Sequence, residues 1–128
     1  MPFLKDLREL STTVALSTAS VTATGTGTSI DLQNYTGEGQ FILNIGAATA
    51  GTAPTMDIAV NDSADNSSFA AISTPIAATQ VTTVAGVQVL TIDTRAMRRY
   101  VRLALTIGGS ASPAFPCSAV FVGTQQNQ

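Results

Sequence analysis

The sequence predicts an all-β fold: an antiparallel β-sandwich or jelly roll of about eight strands with a short N-terminal arm or helix. Apolar and polar residues alternate over residues 100–107, which is the pattern of a strand with one face in a core. β-Branched residues are abundant after residue 10, and helix-forming patterns are absent there. Turn-forming residues separate the apolar runs at fairly regular spacing, as they do in sandwiches and jelly rolls.

The first ten residues differ from the rest of the chain and predict an amphipathic arm. Phe3, Leu4, Leu7 and Leu10 recur at helical spacing, and charged residues lie between them. A helix this short is marginal in water, so it is expected to dock, either on its own sandwich or on a neighbouring subunit. The predicted organisation is therefore an arm at 1–10, one β-sandwich domain at 11–123 and a flexible tail at 124–128.

The strands of the first half follow from alternation of Thr, Val, Ala and larger apolar residues. Residues 12–16, 20–24 and 28–32 are predicted strands, with Gly25 and Gly27 at a turn or bulge. The next strand is 40–46, with three apolar side chains facing inward: Phe41, Leu43 and Ile45. After a loop at 47–54, a further strand has its own inward set: Met56, Ile58 and Val60.

The second half contains the longest apolar alternation. A polar turn at 61–68 and a short strand at Phe69 lead to two runs, 87–93 and 100–107, which we predict to be central strands. Residues 108–116 are expected to form a loop stiffened by two prolines, and residues 118–123 the closing strand.

Basic residues concentrate between and within those two runs. We call this set, with the tyrosine among them, the arginine corner: Arg95, Arg98, Arg99, Tyr100 and Arg102. One interpretation is ordinary ion pairing with Asp93, Asp57 or another sheet residue. The other is a docking patch, because arginine and tyrosine commonly anchor protein interfaces.

Composition argues against catalysis and against several classes of ligand. Histidine is absent and Cys117 is the single cysteine, so nucleophile–histidine pairs and histidine metal sites are excluded, and we expect no enzyme and no cofactor. The turn at 61–68 lacks the glycine and distal glutamate of a calcium loop. Charged residues are only 11% of the chain and the net charge is −2, which does not favour nucleic-acid binding. No apolar run is long enough for a signal peptide or membrane span, so synthesis in a cytoplasm is expected.

Three segments together resemble small head proteins of tailed bacteriophages, in particular capsid decoration (cement) proteins with a jelly-roll fold. They are the opening that ends in SIDLQNY, the segment MDIAVNDSADNSSFAAI, and TRAMRRYVRLALTIGGSASPAFPCSAVFVG. The resemblance covers about residues 17–123 and does not include the arm. It implies a non-enzymatic virion protein, synthesised in the host cytoplasm, that binds the outside of the capsid as a trimer. There it would stabilise contacts between subunits of the major capsid protein.

Two other functions remain open from the sequence. One is another virion module, such as a neck, tail or head-fibre base; the other is a carbohydrate-binding sandwich, which the scarcity of aromatic residues disfavours. In the virion function we expect the protein-interface residues to be those of the arm and the corner: Phe3, Leu4, Leu7, Arg95, Arg98, Arg99, Tyr100 and Arg102.

Overall fold

The structure is a computed structural model that describes residues 10–72, 76 and 78–125. Within these residues there are eight β-strands and one 3-10 turn, at Thr94–Ala96. The strands are β1 (Leu10–Val21), β2 (Gly25–Thr26), β3 (Ile30–Asp31), β4 (Tyr35–Ile45), β5 (Ala50–Ser63), β6 (Ala70–Ala71), β7 (Gly86–Asp93) and β8 (Tyr100–Gln125).

The strands form one curled antiparallel sheet whose two layers share β8. In the first layer the order is β1, the C-terminal half of β8, β4 and β7. In the second layer β2 and β3 pair with one side of the N-terminal half of β8, β5 pairs with its other side, and β6 follows β5. β8 is therefore the central strand of both layers, and the all-β sandwich predicted from the sequence is confirmed.

The bend that lets β8 serve both layers lies between residues 109 and 112. Gly109, Ala111 and Ser112 all have positive φ, at 102°, 60° and 56°. At Gly109 a side chain would also meet backbone, since an added Cβ would lie 2.7 Å from the carbonyl oxygen of Ala53. Positive φ is unfavourable for residues that carry a Cβ. These three residues therefore interrupt the extended backbone of β8 and allow it to bend.

The core lies between the two layers and is built from the inward parity of each strand. In the first layer Phe41 pairs directly with Phe121, their ring centroids 5.0 Å apart, and Tyr35 meets Phe121 edge-on at 5.3 Å. In the second layer Met56 and Leu103 are fully buried. The inward sets predicted for 40–46 and for Met56, Ile58 and Val60 are confirmed.

Several predicted boundaries were wrong, for one physical reason: small and glycine-containing segments can be held in a sheet by their neighbours. Residues 108–116 are part of β8 rather than a loop, and residues 50–54 belong to β5. Residues 12–16 and 20–21 belong to one strand, β1, with register shifts against β8, and residues 22–24 lie outside it. Leu10 was assigned to the arm but is the first residue of β1. It pairs with Thr124, which was assigned to the tail but lies in β8.

The run 87–93 is a strand as predicted, but it is not central. It is β7, and among the described residues it pairs only with β4. Its outward side chains therefore lie at the edge of the first layer. The central position belongs to 100–107, as predicted, together with its continuation to Gln125.

Candidate interaction surfaces

The arginine corner is assembled by the 3-10 turn that joins β7 to β8. Asp93 caps the turn, accepting hydrogen bonds from the backbone N–H of Arg95 at 3.0 Å and from its Nε at 3.2 Å. The hydroxyl of Thr94 donates to the carbonyl oxygen of Gly37 at 2.7 Å and thereby fixes the turn to the start of β4. The chain then enters β8 with Arg98 and Arg99 on either side of the strand start.

Arg98 is held by a buried carboxylate. Its Nε and Nη2 donate to Oδ1 of Asp62 at 3.0 and 2.7 Å, and its backbone N–H donates to Oδ2 at 3.0 Å. The Asp62 side chain is only 8% exposed, whereas that of Arg98 is 46% exposed. Burial raises the pKa of Asp62, but the hydrogen bonds from Arg98 outweigh it, so the net pKa lies below the usual value. This pair ties the start of β8 to β5.

Arg99 makes the corresponding contact on the other side. Its Nε and Nη2 meet the two carboxylate oxygens of Asp31 at 3.0 and 2.9 Å, a bidentate pair, and Nη2 also donates to Oε1 of Gln33 at 2.7 Å. The Arg99 hydrogen bonds lower the pKa of Asp31. The guanidinium carbon lies 5.0 Å from the centre of the Tyr100 ring, within cation–π range.

Arg102 differs from the other three arginines. Its guanidinium carbon stacks 3.8 Å from the centre of the Phe69 ring, and its buried Nε has no hydrogen-bond partner among the described residues. Within the described part of the chain, the carboxylates that pair with the corner belong to Asp31, Asp62 and Asp93, one each for the other arginines. The corner is thus largely satisfied internally, with Arg95 as its most exposed member, 77% accessible.

The predicted interface residues fall into two groups. The structure brings Arg95, Arg98, Arg99, Tyr100 and Arg102 together around the start of β8. Phe3, Leu4 and Leu7 lie outside the described residues. The interface role of both groups stays a prediction.

A second surface, which the sequence analysis did not identify, is the outer face of the first layer. Four apolar residues form a direct cross-strand row over all four strands: Val14, Val120, Ile42 and Val89. Val89 is 49% exposed and Val14 52%, and neighbouring Val87 is 63% exposed. We call this row with Val87 and Val122 the valine face. Its flanking side chains are uncharged: Thr12, Gln40, Asn44, Thr91 and Ser118.

Alternation in the sequence contained a partial signal for the valine face. Val87 and Val89 share a parity opposite to that of buried Leu90 and Ile92, so apolar residues occupy both parities of β7. A two-sided apolar strand is expected to be covered on both faces. In the sequence analysis, apolar residues on both faces of 87–93 were explained by a central position in the sheet. The edge position of β7 depends on strand pairing that the sequence does not reveal.

Among the described residues there is no cluster of three or more histidine, cysteine or acidic side chains that could hold a metal ion. Burial raises the pKa of the Cys117 thiol, which opposes formation of a reactive thiolate. Asp65 accepts from the backbone N–H groups of Ser67 and Ser68 and from the Ser63 hydroxyl, a self-contained turn. No helix in the described part of the chain is long and apolar enough to cross a membrane.

Solved structures show where this architecture recurs. VP2 in a subviral particle of infectious bursal disease virus has a TM-score of 0.58 at 14% identity, over 91% of this chain and 32% of that chain. VP2 of the Gx strain of the same virus also gives a TM-score of 0.58, at 13% identity, over 93% of this chain and 32% of that one. A third structure, the SPBc2 prophage-derived protein YomS, has a TM-score of 0.49 at 9% identity, over 89% of this chain and 93% of that chain.

At these identities the similarity to the two VP2 structures concerns the fold alone. The chain spans about a third of the length of the VP2 chains it matches. No protein-family model and no curated protein sequence matches it.

Proposed function

We propose that this chain is a non-enzymatic structural protein of a virion, and that it binds the outer surface of a bacteriophage capsid. There it stabilises contacts between subunits of the major capsid protein. The observation that carries the proposal is the likeness of almost the whole chain to VP2 as found in a subviral particle. The resemblance of three sequence segments to phage decoration proteins supports the finer part of the proposal, that the virion is a bacteriophage and that the protein binds the outside of its capsid.

The chemistry of the surface supports a binding function. Charged residues make up only 11% of the chain, and the valine face and its flanking Thr, Gln, Asn and Ser side chains carry no charge. Removing hydroxyl and amide groups from water costs far less than removing charges. A protein of this composition can be covered on several sides by partners.

The mechanism of stabilisation needs no reactive group. A protein that binds only the assembled shell shifts the equilibrium against disassembly by mass action. A trimer engaging several capsid subunits at once adds avidity, because its second and third contacts form at high effective concentration. We propose Arg95, Arg98, Arg99, Tyr100 and Arg102 as contacts to the major capsid protein, and the arm residues Phe3, Leu4 and Leu7 as contacts between copies.

The test is binding to expanded capsids stripped of accessory proteins. The purified chain should co-sediment with these capsids, saturate at hundreds of copies per particle and raise the temperature at which they release DNA or fall apart. Saturation at small multiples of three or six would instead indicate a neck, tail or head-fibre base. Absence of binding to any virion part would contradict the proposal.

Substitution of Arg95 tests the role of the corner. Arg95 is the most exposed arginine of the corner, and its removal leaves the Asp31 and Asp62 pairs intact. Arg95→Ala should therefore weaken capsid binding without changing the melting temperature. The matched control is Thr106→Ala, an exposed position on the outer face of the second layer, which should leave binding unchanged.

A further inference from the structure

The valine face is an apolar surface that we expect to be covered by another protein segment rather than left exposed to water. It crosses all four strands of the first layer in register, from Val14 through Val120 and Ile42 to Val89. Its outer members, Val14 and Val89, are about half exposed. Contiguous apolar patches on soluble proteins usually mark a contact site.

The dimensions of the face match the predicted arm. Four strands at the usual spacing set β1 and β7 about 14 Å apart. Nine residues in helical form are also about 14 Å long. In that form Phe3, Leu4 and Leu7 share one stripe. The four charged side chains of the segment, two basic and two acidic, cancel in charge. An apolar stripe with no net charge fits the valine face, whose flanking side chains are uncharged. The charged pair Glu38 and Asp93 lies one row beyond Gln40 and Thr91 on the same outer surface.

The connection to β1 indicates from which copy the arm comes. The row of Val14 lies four residues down β1 from Leu10, so an arm covering its own face would have to reverse direction just before Leu10. Leu7, Arg8 and Glu9, which directly precede β1, are not among the residues that most readily make such reversals, namely Gly, Pro, Asn, Asp and Ser. The sequence next to β1 therefore does not favour coverage of the face by the same copy.

We propose that residues 1–9 of one copy cover the valine face of a neighbouring copy, through Phe3, Leu4 and Leu7. This contact would link copies head to tail, an arrangement that closes into a ring when the rotation between copies permits. The inference deepens the proposed function, on which it rests for the existence of an oligomer. Its experiment uses the isolated full-length protein, so its failure and a failure to bind capsids are separate results.

The experiment uses tryptophan as a reporter, since the chain has none. In a Phe3→Trp chain at high micromolar concentration, emission should be blue-shifted and protected from acrylamide, and both effects should be lost on dilution as copies separate. Adding Val89→Asp to the same chain should expose the tryptophan by placing a charge on the face. Thr106→Asp is the matched control on the other layer and should leave the tryptophan protected. Circular dichroism confirms that each variant is folded.

Mixing identifies the source of the covering segment. The exposed Phe3→Trp, Val89→Asp chain should recover protection when mixed with a Leu7→Asp chain, which has an intact face and a weakened arm. Protection that is independent of concentration, with no recovery on mixing, would show that the arm covers its own face and would overturn the proposal. A tryptophan quenched freely in every chain would overturn it as well, since the face would then be covered by another partner or left open.

Discussion

At the scale of single residues, the ion pairs of the arginine corner differ in what they contribute. Asp93 and Arg95 are both substantially exposed, and pairs of that kind add little to stability. The buried Asp62 is different, because its carboxylate accepts three hydrogen bonds from Arg98 and has little access to water. Stability should therefore depend on Asp62 far more than on Asp93, although both pair with arginine.

Replacing Asp62 by asparagine tests this difference. Asp62→Asn keeps the size of the side chain but removes the charge that holds Arg98, and should lower the free energy of unfolding by about 1–3 kcal/mol. Asp93→Asn is the matched control and should produce no measurable change. Urea denaturation of the two variants measures both values. Equal losses would mean that the burial of Asp62 contributes nothing.

The lowered carboxyl pKa values predict acid sensitivity. Hydrogen bonds from the backbone N–H groups of Ser68 and Ser67 lower the pKa of Asp65 to about 2. The unfolded chain binds this proton more tightly than the folded chain, so the stabilisation is complete above the ordinary aspartate pKa of about 4 and is lost as pH falls toward 2. The urea midpoint should decrease over that range. In Asp65→Asn the decrease should be smaller, and parallel curves for the two proteins would contradict the assignment.

At the scale of elements, the aromatic cluster sets how closely β4 and β8 pack. Gly39 pairs with Gly123, and the ring of Phe121 lies over Gly39 where any side chain would stand. The absence of a Cβ there makes room for the ring contacts of Phe121 with Phe41 and Tyr35. Glycine inside a strand usually weakens the strand. At position 39 the missing side chain is compensated by the space it leaves for the Phe121 ring.

Adding one methyl group at this position should be costly. Gly39→Ala would force the Phe121 ring out of its place and should lower the free energy of unfolding by about 1–3 kcal/mol, the range for overpacked cores. Gly86→Ala, at the start of β7, is the control because an added Cβ there meets nothing within 4 Å. It should be neutral or slightly stabilising. Thermal melts of both variants provide the comparison, and a neutral Gly39→Ala would disprove the space argument.

At the scale of the whole molecule, β8 makes the two layers one folding unit. Every other strand except β6 and β7 pairs directly with it. β1 and β4 lie on opposite sides of its C-terminal half and do not pair with each other. The first layer therefore has no independent stability without that half of the strand.

Truncation measures this dependence. A chain that ends at residue 113 lacks the central strand of the first layer and should lose its cooperative unfolding transition altogether. A chain that ends at residue 125 keeps all of β8 and should unfold as the full-length protein does. Circular dichroism and tyrosine fluorescence during urea titration distinguish the two. A cooperative transition in the shorter chain would show that the second layer folds alone.

The sequence by itself determined the class of fold and much of the core, because alternation along a strand is a local property. Alternation over a few residues is enough to predict which side chains face inward, as it does for Phe41, Leu43, Ile45 and Leu103. The arginine corner was also visible, since its members are close together in sequence. The boundaries of β5 and β8 could not be predicted from the sequence, because the local preferences of the glycine, alanine and proline residues there are overridden by tertiary strand pairing.

Only the tertiary structure decided which strands are central, which carboxylates meet which arginines, and that four apolar residues line up on an outer face. Arg99 reaches Asp31 across 68 positions of sequence, and Arg98 reaches Asp62 across 36. Val14 and Val89 share a row only through the register of two strands between them. Such relations depend on strand pairing over long separations, where a shift of one residue would turn each of these side chains to the opposite face.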